Sequence, residues 1–253
     1  NVFKDVLSTH STDQKGSWID GVLIPGVLKK AGYKVAFITS QFYKSPNLGV
    51  VDFNGSFFLN DKEIERKCFD YRNKYRKAYD LQLIKEINKF LCGDYNFIIF
   101  HGMGQHQEYN KRFGKSDVRF TAGNYPSRHD LTVYEKQIIA DYDNATLYND
   151  RVVKQLCERF KNDDAVVVYL PDHGEEVFDR IHSYGRDHNA DVSADIAFSE
   201  FEVPFEIWFS PRAKKEHSDI YNAARKAADK AFSTDDLPHL LMGIAGISSP
   251  LYD

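Results

Sequence analysis

This 253-residue sequence lacks a charge excess of either sign: 33 Lys and Arg stand against 37 Asp and Glu, for a net charge of −4. The broad positive field that nucleic-acid binding needs is missing, and nucleic acid is excluded as an expected partner. Long apolar runs are missing too. None approaches the roughly 20 residues that span a bilayer, and the opening Asn1-Val-Phe-Lys-Asp has no basic-then-apolar leader pattern, so the chain itself is expected to be soluble. Cysteine is scarce. Cys68, Cys92 and Cys157 could form a single disulfide at most and show no paired spacing of the structural-zinc kind, so buried free thiols are expected. Repeats, low-complexity tracts and Pro/Gly/Ser-rich linkers are absent, so residues 1–253 read as one domain.

What is present is enough apolar sequence, 42% of residues, to bury one sizeable core. Four short apolar runs read as strands: Lys34–Thr39, Asn96–Phe100, Ala165–Leu170 and Phe205–Phe209. They are β-branched and aromatic without clean alternation, as a sheet covered on both faces demands. Helical periods fall at Leu23–Lys30, Asp80–Leu91, Thr132–Phe160, Asp219–Phe232 and Leu237–Ile244, with Ser233 and Thr234 as cap candidates before the last. Strands alternating with helices predict an α/β fold with a mostly parallel central sheet and helices on both faces. The stretch Asp52–Lys74 is polar, aromatic and aperiodic and reads as loops leaving the sheet.

The strongest local signal is Tyr169-Leu-Pro-Asp172-His173-Gly174-Glu175-Glu176. An apolar strand delivers Asp172 and His173 to its carboxyl end, where ligands collect in open parallel sheets, and Gly174 permits a sharp turn. Carboxylate plus imidazole suits a zinc-type ion, although a solvated turn explains the tripeptide equally well. A second loop, His101-Gly-Met-Gly-Gln-His106 followed by Tyr109 and Arg112, leaves another strand. His106 is placed to approach a ligand at the sheet edge or to sit in a surface loop, while His101 reads as a packed or hydrogen-bonded histidine. Farther on, His182, Arg186 and His188 could surround an anionic phosphoryl or sulfuryl group, or simply be solvated. The hydroxyl-rich run Ser8-Thr9-His10-Ser11-Thr12 offers a nucleophile or a helix cap.

In order and spacing these pieces resemble the membrane-anchored phosphoethanolamine transferases of the alkaline phosphatase/sulfatase superfamily. The resemblance runs from Phe3-Lys-Asp-Val through Leu28-Lys-Lys-Ala-Gly-Tyr-Lys, Gln41, the His101–His106 loop, Tyr142-Asp-Asn144, Tyr148-Asn-Asp150, Asp172-His-Gly-Glu175 and Glu202-Val-Pro-Phe205 to Ala245-Gly-Ile247. It implies an alkaline phosphatase/sulfatase-like fold, with zinc, one ion or two, or another divalent ion as cofactor. The implied donor is a phosphatidylethanolamine head group, the acceptor lipid A or a related glycan, and the reaction passes through a phosphorylated Thr. Asp172 and His173 become metal ligands, Thr12 the nucleophile and a metal ligand, and His106 and His188 the histidines near the phosphoryl group, with His182 as runner-up for the last. The implied location is the periplasmic face of the bacterial inner membrane, tethered through segments outside this chain.

Two departures stand out. The family's first ligand, a Glu in a Gly-Glu-Ser segment upstream of the Ser/Thr run, has no counterpart, and an ungapped count puts Asp13 where the nucleophilic Thr should be. The economical reading is a piece of a longer protein, with residues before Asn1 and a segment near Asp13 left out. The competing readings are a metal-dependent phosphodiesterase or sulfatase-like hydrolase and a non-catalytic lipid- or glycan-binding relative. No C/S-x-P-x-R motif, the source of formylglycine in sulfatases, occurs, which argues against sulfate esters.

Overall fold

Five consecutive buried residues, Val35 to Thr39, make strand β1 (Lys34–Thr39) the centre of a sheet closed to water on both sides, as its lack of alternation predicts. The computed structural model describes residues 23–41, 62–75, 77–91, 93–186 and 192–248. They divide between two compact units. The first holds the described residues of Asn1–Ala78, Lys85–Gly102 and Ala228–Asp253; the second holds Tyr79–Ile84 and those of Met103–Ala227.

In the first unit, β1 pairs in parallel with β2 (Tyr71–Arg72) on one side and β3 (Asn96–His101) on the other, giving the order β2-β1-β3. Helix α1 (Ile24–Lys30) precedes β1, α2 (Lys62–Cys68) precedes β2 and α3 (Ile84–Phe90) precedes β3. Pro25 opens the first turn of α1, where its missing N–H costs nothing. Leu28, Val35, Phe37, Cys68 and Phe69 form the core, with Tyr33, Phe97, Ala245 and Ile247 against it. The helix α8 (Leu237–Ile244) closes the unit, and Tyr33 donates to the Ala245 carbonyl at 3.0 Å.

The expectation of loops over Asp52–Lys74 is corrected where that stretch is described, because it holds both α2 and β2. Two residues are too few to show a strand pattern, and side chains complete this one. Asp70 accepts from the Val35 N–H at 2.9 Å, and Asn73 accepts from the Thr39 N–H at 2.8 Å while donating to the Thr39 carbonyl at 2.9 Å. Both ends of a short edge strand are thus held by carboxylate and amide groups standing in for backbone.

The second unit is built on α4 (Val133–Phe160), 28 residues long and capped by Thr132. Thr132 Oγ1 accepts from the Glu135 N–H at 3.2 Å and Glu135 accepts from the Thr132 N–H at 2.7 Å, a reciprocal capping box. The buried Asn144 on α4 accepts from the N–H groups of Arg119 and Phe120 and donates to the Phe120 carbonyl, which pins the preceding segment to the helix. Strand β4 (Val166–Tyr169) pairs antiparallel with β7 (Glu206–Phe209).

The α/β class stands, with a parallel sheet and helices; besides that three-stranded sheet the described strands form the antiparallel β4-β7 pair and a small hairpin of β5 (Glu176–Val177) and β6 (Tyr184–Gly185). Periodicity reveals strands but not their direction, and β7 returns beside β4 after the hairpin and α5 (Ala194–Phe201). Past β7 come α6 (Pro211–Glu216), capped by the buried Ser210, and α7 (Ser218–Ala227), which ends five residues short of the expected Phe232. No helix of the described residues is long and apolar enough to cross a membrane. Cys68 and Cys157 are free thiols, the first buried and the second half-buried; Cys92 lies outside the described residues.

Candidate active site

Strand β4 ends at Tyr169, and the chain turns through Asp172, His173 and Gly174 before β5 begins at Glu176. The turn is held by α5. The Gly174 N–H donates to the Glu200 carbonyl at 2.8 Å, and a β-carbon on Gly174 would lie 2.1 Å from the Ser199 carbonyl oxygen. Only glycine fits there.

The two candidate ligands stand beside it. His173 Nδ1 stands 2.8 Å from the Gly174 carbonyl oxygen. A carbonyl only accepts, so in the neutral ring Nδ1 carries the proton and Nε2 the free lone pair. That Nε2 lies 3.6 Å from Asp172 Oδ2; Asp172 is 88% exposed and His173 22%. Two donors each about 2 Å from one zinc ion at a tetrahedral angle stand roughly 3.4 Å apart, close to the separation of this pair.

The His106 loop belongs to the same unit. Asp80 accepts from the N–H groups of Met103 and Gly104 at 2.8 and 3.0 Å, and the His106 N–H closes a turn on the Met103 carbonyl at 3.0 Å. Arg112 donates to the Gln107 carbonyl at 2.8 Å. Gln107 in turn lies against β6, where a β-carbon on Gly185 (φ +88°) would come 2.7 Å from its Nε2. His106 is exposed, as is Arg186, which follows directly on β6.

Between the two loops lies a part-buried contact that sequence reasoning passed over. The Tyr109 hydroxyl donates to Glu175, and its ring meets Tyr142 of α4 edge-on at 5.1 Å. Burial raises the Glu175 carboxyl, while the Tyr109 bond and the nearby His173, His106 and Arg186 oppose the rise. Burial, followed by the Glu175 bond, pushes the Tyr109 hydroxyl far up, and burial with the Glu175 charge pushes Tyr142 up to about 12. Both phenols therefore stay protonated, and Tyr109 serves as the donor to Glu175. Glu175 was present in the Asp-His-Gly-Glu segment and Tyr109 beside the His106 loop. Their pairing across 66 residues had no local signal.

The other expected residues are distributed as follows. His182 bonds Glu135, the capping-box carboxylate, at 2.9 Å and meets Phe178 edge-on, so the runner-up imidazole is committed to the start of α4. In the first unit, His101 contacts Thr39 Oγ1 at 3.0 Å through Nδ1 and stacks on Phe37 at 5.6 Å, the hydrogen-bonded histidine that was expected. Thr12, Asp13 and His188 lie outside the described residues. One other group of possible ligands converges among the described residues: Asp164, Glu216 and His217, whose ligand atoms lie within 4.8 Å of one another. It sits on the surface before β4 begins, at the opposite end of that strand from Asp172, and Glu216 is already paired with Arg212 at 2.9 Å.

A carboxylate and a neutral imidazole converging at a strand end, with further nitrogen groups on neighbouring loops, form an arrangement that can hold a cation and receive an anion. The sulfatase family profile matches residues 5–247, and the chain belongs to that family. Phosphoethanolamine transferase EptC of Escherichia coli K12 is 28% identical over 233 residues, covering 90% of this chain and 38% of that protein. The Kdo(2)-lipid A phosphoethanolamine 7''-transferase of Salmonella typhimurium is 26% identical over 186 residues, covering 71% and 32%. The chain thus spans well under half the length of these relatives. Among solved structures, the C-terminal periplasmic domain of the E. coli EptC protein superposes with a TM-score of 0.73 at 25% identity, covering 96% of this chain and 66% of that one. The same domain crystallised with zinc gives 0.66.

Proposed function

We propose that this chain is the catalytic part of a zinc-dependent phosphoethanolamine transferase, moving the head group of phosphatidylethanolamine to lipid A or a related glycan at the periplasmic face of the inner membrane. The observation that carries the reading is the Asp172–His173 pair: ligand atoms 3.6 Å apart, with the His173 proton held on Nδ1, in a chain of the sulfatase family. The 28% identity to EptC and the zinc complex of the EptC domain support the choice of reaction and metal.

Asp172 and His173 would hold the ion, and a bound zinc supplies positive charge that stabilises a phosphoryl oxyanion and a deprotonated hydroxyl. The chain's own residues divide the rest of the work. A Thr at or just after Thr12 attacks phosphorus, and the bond from phosphorus to the diacylglycerol oxygen breaks. His106 and His188 bind phosphoryl oxygens, and one of them gives a proton to the departing alkoxide. In the second half an acceptor hydroxyl loses its proton to the same imidazole and attacks the phospho-Thr, which returns the Thr oxygen. Arg186 adds a fixed positive charge that can pair with the anionic phosphate of the zwitterionic head group.

The test incubates the full-length protein in membranes with phosphatidylethanolamine labelled in its head group. Label is expected first on a Thr near Thr12 and then on lipid A. Release of labelled phosphoethanolamine to water without protein label would replace this reading with a phosphodiesterase. No turnover by a zinc-loaded protein would replace it with a binding module.

A further inference from the structure

Tyr109 and Glu175 belong to different loops, yet each loop carries a histidine of the candidate site. Tyr109 is 4% exposed, three residues beyond His106, and Glu175 is two residues beyond His173. The residue that turns Tyr109 inward, Glu108, adopts a left-handed backbone (φ 62°, ψ 50°). That conformation costs a non-glycine residue roughly 1–2 kcal/mol and persists only where the surroundings impose it. Here they do. The Glu108 carboxylate pairs with Lys111, Asp80 holds Met103 and Gly104, and the Tyr109 ring is wedged against Tyr142 of the 28-residue helix. On the other side, the Gly174 N–H donates to the Glu200 carbonyl, and the Ser199 carbonyl leaves no room for a side chain at position 174. Two anchored loops are therefore joined at one part-buried hydrogen bond.

Resting on the functional reading above, we infer that Tyr109 and Glu175 are positioning residues: their bond sets the His106 loop against the Asp172–His173 turn, so that the His106 imidazole faces the phosphoryl group held at that turn. Neither side chain touches substrate. A loose bond would leave every reacting group present but misplaced, and misplacement by about 1 Å can cost up to a hundredfold in rate. Loss of the bond should lower kcat, because His106 acts on the reacting group, and leave KM nearly unchanged.

The test uses full-length protein labelled with 15N in histidine and three variants. Tyr109→Phe removes only the donor and keeps the ring on Tyr142. Glu175→Gln keeps an acceptor oxygen for Tyr109, and Glu175→Ala removes it. In zinc-free protein, Tyr109→Phe and Glu175→Ala should shift the imidazole resonances of both His106 and His173 and leave His217 in place; Glu175→Gln should resemble wild type. In the zinc-loaded enzyme the first two should lose on the order of tenfold in kcat at unchanged KM, and Glu175→Gln within about threefold. Unmoved His106 and His173 resonances in Tyr109→Phe would overturn the inference, as would shifted resonances with wild-type kcat. Glu175→Gln as inactive as Glu175→Ala beside a fully active Tyr109→Phe would overturn it too, by making Glu175 act without Tyr109. If wild type transfers no phosphoethanolamine, the functional reading fails while the resonance shifts still decide the loop contact. Should Tyr109→Phe fail to fold, the Glu175→Gln and Glu175→Ala pair carries the same comparison.

Discussion

Gly174 and Ser199 meet so closely that a β-carbon on the first would stand 2.1 Å from the carbonyl oxygen of the second. That contact sets the turn in which Asp172 and His173 converge. A side chain at position 174 must displace either the turn or α5, because the obstacle is backbone and cannot rotate away. Gly174→Ala should cost about 2 kcal/mol or more of stability and weaken zinc binding at least tenfold. Gly243 of α8, where a β-carbon would meet nothing within 4 Å, is the control: Gly243→Ala should be neutral or stabilising by up to about 1 kcal/mol. Urea unfolding of the two variants side by side gives the comparison, and equal midpoints would contradict it.

Asn144 is 1% exposed and spends both ends of its amide on the backbone of Arg119 and Phe120. Asn144→Ala leaves two N–H groups and a carbonyl without those bonds, so a loss of about 2–4 kcal/mol is expected. Asn144→Asp keeps the acceptor and loses the donor, and should fall between. Chemical denaturation orders the three proteins. Protection of the Arg119 and Phe120 amides from hydrogen exchange should drop in Asn144→Ala alone.

How much of this was legible in the sequence depends on range. β1 and α4 announce themselves because the signal is local: an apolar run for one, a long helical period for the other. β2 was missed because Tyr71 and Arg72 carry no pattern and owe their place to Asp70 and Asn73. The antiparallel direction of β7 against β4 is a tertiary fact that neither run encodes. At the candidate site, Asp172 and His173 were readable as neighbours in one turn. The Tyr109–Glu175 bond was not, since it joins groups 66 residues apart through folds of two separate loops.

Glu176 gives stability a defined acid dependence. Burial alone would raise its carboxyl, but the Ser199 hydroxyl and the N–H groups of Arg180, Asp179 and Ile181 outweigh it and hold the group below the ordinary carboxylate range. The folded value is depressed, so the stabilisation is present above the unfolded value of about 4 and is lost as pH falls through the folded one. Glu176→Gln should therefore cost about 1–3 kcal/mol at pH 7 and progressively less below about pH 4. Urea midpoints for both proteins between neutral and strongly acid pH check the convergence; a gap independent of pH would contradict it.

The central claim is that the metal sits on Asp172 and His173, at the carboxyl end of β4, and not on the Asp164, Glu216 and His217 group at its other end. Zinc titration of the full-length protein, followed by elemental analysis after dialysis, tests this in wild type, Asp172→Ala, His173→Ala and His217→Ala. The account predicts that Asp172→Ala and His173→Ala lose bound zinc by a factor of about a hundred or more in affinity, of the order expected for removing a direct ligand, while His217→Ala binds as wild type does. Zinc retained by His173→Ala and lost by His217→Ala would contradict it.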